Sequence, residues 1–89
     1  MLTTPIIIIN KLGLHARASA KFVATAGKFQ SQITVSNGKQ RVNGKSIMGV
    51  MTLAASQGSE LILTIDGPDE QSMTDALVNL ITQRFYEAD

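Results

Sequence analysis

The feature that most restricts this chain is an abrupt change of pattern at residue 15. An apolar, β-branched run, Ile6 to Ile9, reads as a strand. An alanine-rich run, Ala16 to Ala26, reads as a helix. Between them, Asn10-Lys11-Leu12-Gly13-Leu14 is loop, and His15, the single histidine, stands where loop becomes helix. The first N–H groups of a helix have no partner inside it, and they share the positive end of the helix dipole. Such a place seats an anion, and phosphate suits it. Arg17 adds a planar fork of donors matched to phosphate oxygens. Imidazole, amide donors and guanidinium thus fall within a few residues of one another. That grouping fits a covalent phosphoryl group on His15, held by the Arg17 side chain and the amides of Ala16, Arg17 and Ala18. A lone histidine beside a loop is also, more often, an ordinary polar loop residue. A metal role is not expected: cysteine is absent, there is no second histidine, and no carboxylate lies nearby in sequence.

Taken in order, the chain reads β-α-β-β-α-β-α. The first strand spans about Leu2 to Ile9, and Pro5, which cannot donate a ladder hydrogen bond, places it at a sheet edge. The first helix spans Ala16 to Ala26, with Ala16, Ala20, Val23 and either Phe22 or Ala26 as its buried stripe and Gly27 as a stop signal. Gln32 to Ser36 and Lys39 to Val42 read as two strands joined by a two-residue Asn37-Gly38 hairpin turn. Ile47 to Ala54 reads as a short helix with Ser46 as N-cap, worth about 1 kcal/mol. Glu60 to Ile65 is a strand, and Glu70 to Tyr86 a helix capped by Asp69, with Met73, Ala76, Leu77, Leu80, Ile81 and Phe85 facing inward. This order predicts an antiparallel sheet with helices on one face, in one domain spanning residues 1–89.

Composition narrows the function classes. Aromatic residues are 4% of the chain, so the core must be mostly aliphatic. Without cysteine, disulfides play no part, and the Ile run is too short for a signal peptide or a membrane span; a cytoplasmic protein without membrane insertion is expected. The net charge of +1 conceals a split: residues 1–59 carry seven Lys and Arg and no acid, whereas residues 60–89 carry seven acids and one base, Arg84. Folding could interleave the two segments, or the basic one could meet an acidic partner. Gly44-Lys45-Ser46 lacks the spacing of a phosphate-binding P-loop. Ser46 could itself take a phosphate, which a helix start beside Lys45 would tolerate. Ile47, Met48 and Met51 lie on a helix too short and too apolar to be wholly buried, and flexible methionine on an exposed face suits binding to several partners.

Two stretches, Gly13-Leu14-His15-Ala16-Arg17 with Ala18, and Lys45-Ser46-Ile47-Met48-Gly49-Val50-Met51, resemble the HPr family, the histidine-containing phosphocarriers of the bacterial sugar phosphotransferase system. The resemblance spans the whole chain in length and element order. It implies an open-faced β-sandwich of the α+β class, with sheet order 1-4-2-3 and three helices on one face. It implies that Enzyme I, charged by phosphoenolpyruvate, phosphorylates Nδ1 of His15, which then donates to an enzyme IIA domain. It implies a docking face that includes Leu14, Ala20, Ile47, Met48 and Met51. Ser46 matches the serine modified by an ATP-dependent HPr kinase/phosphorylase. A monomeric carrier follows, needing no cofactor and not turning over alone. The family usually has proline where this chain has Ala18; alanine removes no chemical group but stiffens the first helical turn less.

Three rivals are distinguishable. NPr, the carrier of the nitrogen-related system, would use the same chemistry with regulatory partners. A binding module acting through phosphoserine alone would not need His15. A nucleic-acid binder would want stacking aromatics on its strands, and these are missing, so no nucleic-acid partner is expected.

Overall fold

The computed structural model describes residues 1–87; Asp89, counted above in the acidic segment, lies outside the described residues. Four strands form one sheet: β1 (Leu2–Ile7), β2 (Gln32–Ser36), β3 (Arg41–Asn43) and β4 (Glu60–Asp66). Their order is β1-β4-β2-β3 and all pairings are antiparallel. Pro5 sits in the edge strand β1, opposite Ile62, where its missing N–H costs no second ladder. Three helices, α1 (Ala16–Ala26), α2 (Ile47–Thr52) and α3 (Glu70–Thr82), cover one face. Alternate residues point toward them: Ile6, Leu61, Leu63, Ile65, Ile33 and Val35 are buried, while Thr3, Glu60 and Gln32 face out. Phe22 from α1 and Met73 and Leu77 from α3 close the same core.

Several boundaries differ from the pattern in the sequence, each for a local reason. β1 stops at Ile7 because its partner β4 begins opposite, at Glu60. The β2–β3 connection has four residues, not two. The Asn37 side chain accepts from the amides of Lys39 (2.9 Å) and Gln40 (2.8 Å), drawing both into the loop, so that Ser36 pairs with Arg41. α2 ends at Thr52, and Ala54 at φ +50° cannot continue it. The buried stripe of α1 is Ala18, Ser19, Phe22 and Ala26; Ala16 is exposed, and Ala20 and Val23 are half-buried. Gly27 is right-handed (φ −66°), so the helix does not use the left-handed freedom that glycine offers.

Asp69 does not cap α3 with its side chain. Its carboxylate instead accepts from the amides of Gln30 and Ser31, each at 2.9 Å, and from the Ser31 hydroxyl at 2.5 Å, tying the start of α3 to the entry of β2. These bonds, the Ser31 hydroxyl's first, hold the Asp69 carboxyl below its ordinary range.

The largest departure is at the C-terminal end. α3 stops at Thr82, and Arg84, Phe85 and Tyr86 follow as a left-handed turn with φ of 55°, 55° and 59°. Each such L-residue costs about 1–2 kcal/mol. Burial of Phe85, which is fully enclosed, returns about 2–3 kcal/mol. The Lys21 ammonium donates to the Phe85 carbonyl at 2.7 Å, a charged hydrogen bond worth about 1.5–3 kcal/mol. Gains and costs are of similar size, and the turn brings the chain back across the start of α1.

Candidate functional site

His15 is placed by its loop. Leu14 donates to the Ala55 carbonyl at 2.9 Å and Gly13 to the Asn10 carbonyl at 3.2 Å, while the fully buried Asn10 side chain donates to the Gly13 carbonyl at 2.8 Å. Gly13 adopts φ +67°, and a Cβ there would lie 2.4 Å from the Ala55 oxygen. Only glycine fits this crossing without displacing backbone. The loop therefore hands His15 to the N-cap position of α1 in an extended conformation, with its side chain making no capping bond. Ser19 is the first amide bonded within the helix, to the His15 carbonyl at 2.8 Å, so the amides of Ala16, Arg17 and Ala18 precede the first internal bond.

The histidine side chain is 29% exposed, at a cleft of about 700 Å³ lined by Leu12, His15, Ala16, Arg17, Lys21, Tyr86 and Glu87. Arg17 is exposed beside it. The sequence singled out His15, Ala16 and Arg17, and the structure brings them together here; Ala18 contributes backbone only, since its side chain is buried. Reading the sequence missed Leu12, Lys21, Tyr86 and Glu87. Lys21 had a signal, lying four residues after Arg17 on the same helix face. Glu87 had none, being 72 positions from its partner.

Glu87 changes the electrostatics of the site. Its Oε2 meets Nε2 of His15, and its Oε1 accepts from Asn10 Nδ2 at 2.9 Å. Burial pushes the Glu87 carboxyl up, but the hydrogen bonds from His15 and Asn10 and the charges of His15 and Lys21 outweigh it and hold the carboxyl below its ordinary range. An ionised carboxylate only accepts, so Nε2 carries the hydrogen in this contact, and whenever the ring is neutral its lone pair then lies on Nδ1. No hydrogen bond engages Nδ1 among the described residues. The acidic segment thus reaches into the basic one at this point. Elsewhere the charge split persists: among the described residues, none of the seven Lys and Arg before Gly58 pairs with a carboxylate.

The expected docking residues separate. Ile47 (44% exposed), Met48 (79%) and Met51 (41%) are open on α2, and Ala20 is half-buried on α1, which packs beside it. Leu14 is buried and belongs to the core, so it supports the loop rather than presenting a surface. Ser46 caps α2 as expected, its hydroxyl oxygen accepting from the Gly49 amide at 3.1 Å. Lys45 turns away, donating to the Phe29 carbonyl at 2.7 Å. Among the described residues, no three His, Cys, Asp or Glu side chains are grouped to hold a metal ion.

A small sheet-and-helix fold that holds a part-exposed histidine at a helix start, in an open cleft, fits the class of proteins that carry a reactive group on a side chain. The comparisons make this specific. Residues 2–83 match the family model described as the PTS HPr component phosphorylation site. The phosphocarrier protein HPr of Cupriavidus necator is 56% identical over 89 residues, covering all of both chains. The crystal structure of HPr-C-His from Thermoanaerobacter tengcongensis superposes with a TM-score of 0.95 at 49% identity, again over the whole of both chains. A crystal structure of an HPr dimer from the same organism matches with a TM-score of 0.78 at 50% identity, covering 98% of this chain and all of that one. The chain belongs to the HPr family, and its function is that of a phosphocarrier in the phosphotransferase system.

Proposed function

We propose that Nδ1 of His15 accepts the phosphoryl group from phospho-Enzyme I and passes it to an enzyme IIA domain. The observation that carries this reading is the ring itself: Nε2 is engaged by Glu87, and among the described residues Nδ1 has no hydrogen-bond partner at the start of α1. The amides of Ala16, Arg17 and Ala18 and the Arg17 guanidinium take the phosphate oxygens. A few such bonds at a part-exposed site steady the group without trapping it, so onward transfer stays favourable. The protein turns over only between donor and acceptor.

Ala20, Ile47, Met48 and Met51 form the docking surface, where apolar contact excludes water around the labile P–N bond. The basic side chains of the first segment, none of which pairs with a carboxylate among the described residues, speed encounter with acidic partners. The protein acts as a monomer in the cytoplasm; among the described residues no helix is long and apolar enough to cross a membrane. Ser46 is the target of an HPr kinase/phosphorylase: a phosphate there stays at the start of α2 and adds negative charge beside the docking surface, which weakens the approach of Enzyme I.

The test is phosphoryl transfer from phosphoenolpyruvate through Enzyme I, read by intact mass and phosphorus NMR. An acid-labile, alkali-stable phosphate is expected on the wild type and none on His15→Ala. Uptake by His15→Ala, or none by the wild type from a competent Enzyme I, refutes the assignment. Discharge by a sugar-type or a nitrogen-related enzyme IIA then separates the HPr role from the NPr role.

A further inference from the structure

Resting on the reading of His15 as the phosphoryl carrier, we infer that Glu87 is a positioning residue for it. Its carboxylate holds the ring with hydrogen on Nε2, keeps the Nδ1 lone pair free to attack, and balances the positive charge the ring acquires on phosphorylation. The family match ends at residue 83, before the turn that carries Glu87.

The geometry is that of a clamped carboxylate. Glu87 is only 10% exposed at its side chain, and both its oxygens are used, one by His15 Nε2 and the other by Asn10 Nδ2 at 2.9 Å. Asn10 is itself fully buried and anchored to the Gly13 carbonyl at 2.8 Å. Histidine, carboxylate and a third group that fixes the carboxylate therefore form a chain, the arrangement by which a histidine is held in one tautomer and orientation. Three consecutive left-handed residues, Arg84 to Tyr86, deliver Glu87 to this place. Backbone in that region persists only where surrounding contacts over-determine it. Those contacts are the enclosed Phe85 ring, the Lys21 bond to the Phe85 carbonyl, and the Glu87 amide bonded to the Arg84 carbonyl at 3.0 Å.

The transfer balances without a proton leaving His15. The Nδ1 lone pair forms the new N–P bond while the bond from phosphorus to the donor group breaks, and that electron pair stays with the donor group. The acceptor ring, still carrying hydrogen on Nε2, becomes cationic, and the Glu87 carboxylate faces that hydrogen. The two ring nitrogens point away from each other, so the carboxylate leaves the space at Nδ1 clear. On discharge the charges reverse.

Two readouts test this, with Glu87→Ala and Glu87→Gln each checked for folding by thermal melting. Nitrogen-15 NMR of the unphosphorylated protein, at a pH where the ring is neutral, reports the tautomer and does not depend on any carrier function. The wild type is expected to show hydrogen on Nε2 only, Glu87→Ala a mixture, and Glu87→Gln, whose amide keeps one acceptor for the two donors of His15 and Asn10, a proportion between the two. In transfer from phospho-Enzyme I, Glu87→Ala should lose on the order of tenfold to a hundredfold in kcat with little change in KM, and Glu87→Gln should recover part of it. An unchanged tautomer in Glu87→Ala overturns the inference. So does a rise in KM alone, which would make Glu87 a docking residue, or faster uptake, which would make its carboxylate an obstruction. If the wild type takes up no phosphate, the carrier reading fails, and the tautomer measurement still decides the role of Glu87.

Discussion

Substituting Gly13 by alanine tests whether the loop crossing places His15. Two costs add. At φ +67° an L-residue loses about 1–2 kcal/mol relative to glycine. The new Cβ would also lie 2.4 Å from the Ala55 oxygen and 2.8 Å from Ser56 Cα, both backbone, so the loops must part, at about 1–3 kcal/mol for overpacking. Parting them strains the Leu14 amide bond to the same carbonyl, now 2.9 Å. The expected destabilisation is about 3 kcal/mol. Urea unfolding measures it: with a slope of roughly 1–1.5 kcal/mol per molar for a small domain, the midpoint should fall by about 2–3 M at unchanged slope. Gly38→Ala is the internal control, because Gly38 has φ +91° but nothing within 4 Å of where its Cβ would stand, which leaves only the backbone cost of about 1–2 kcal/mol. Phosphoryl uptake should fall in Gly13→Ala, which shifts the residue two places before His15, and not in Gly38→Ala. Equal midpoint shifts for the two variants would refute the close-approach argument.

Further outcomes follow from the same geometry. Ser46→Ala removes the acceptor of the Gly49 amide and should cost about 1 kcal/mol, a fall of roughly 4–8 °C in Tm by calorimetry. Arg17→Ala, at an exposed position, should leave stability within about 0.5 kcal/mol while slowing uptake from phospho-Enzyme I on the order of tenfold or more in a stopped-flow assay. The Asp69 carboxyl lies below its ordinary 3.8 in the folded chain, so its contribution is complete above that value and is lost as pH falls through the lowered one; Asp69→Asn should therefore flatten the acid limb of a stability-versus-pH curve. Tyr86→Gly relieves a left-handed residue whose side chain is 65% exposed, and should raise stability by up to about 1 kcal/mol in urea unfolding.

What the sequence made legible was whatever is encoded over one turn or one strand. The β-branched run before Asn10, the alanine run after His15, the Ser46 cap and the alternation of β2 and β4 are short-range signals, and the structure has the sheet order and helix placement that the HPr resemblance implied. Errors fell where a local preference met a distant demand. Asp69 has the chemistry of a cap, yet three donors from the β2 entry outweigh the single helix amide it could have served. The apolar period of α3 runs through Phe85, and continuing the helix would have looked natural. The chain instead reverses through Arg84, Phe85 and Tyr86, with the Phe85 ring enclosed and its carbonyl accepting from Lys21 on α1. The same reversal explains the deeper miss. In the sequence the candidate phosphate site runs from His15 to Ala18, with no carboxylate nearby. In space it is lined from two distant stretches: Leu12, His15, Ala16, Arg17 and Lys21 come from one, Tyr86 and Glu87 from the other, and the Glu87 carboxylate meets Nε2 of His15. No periodicity or spacing rule links residues 72 positions apart, so that half of the site could come only from the fold.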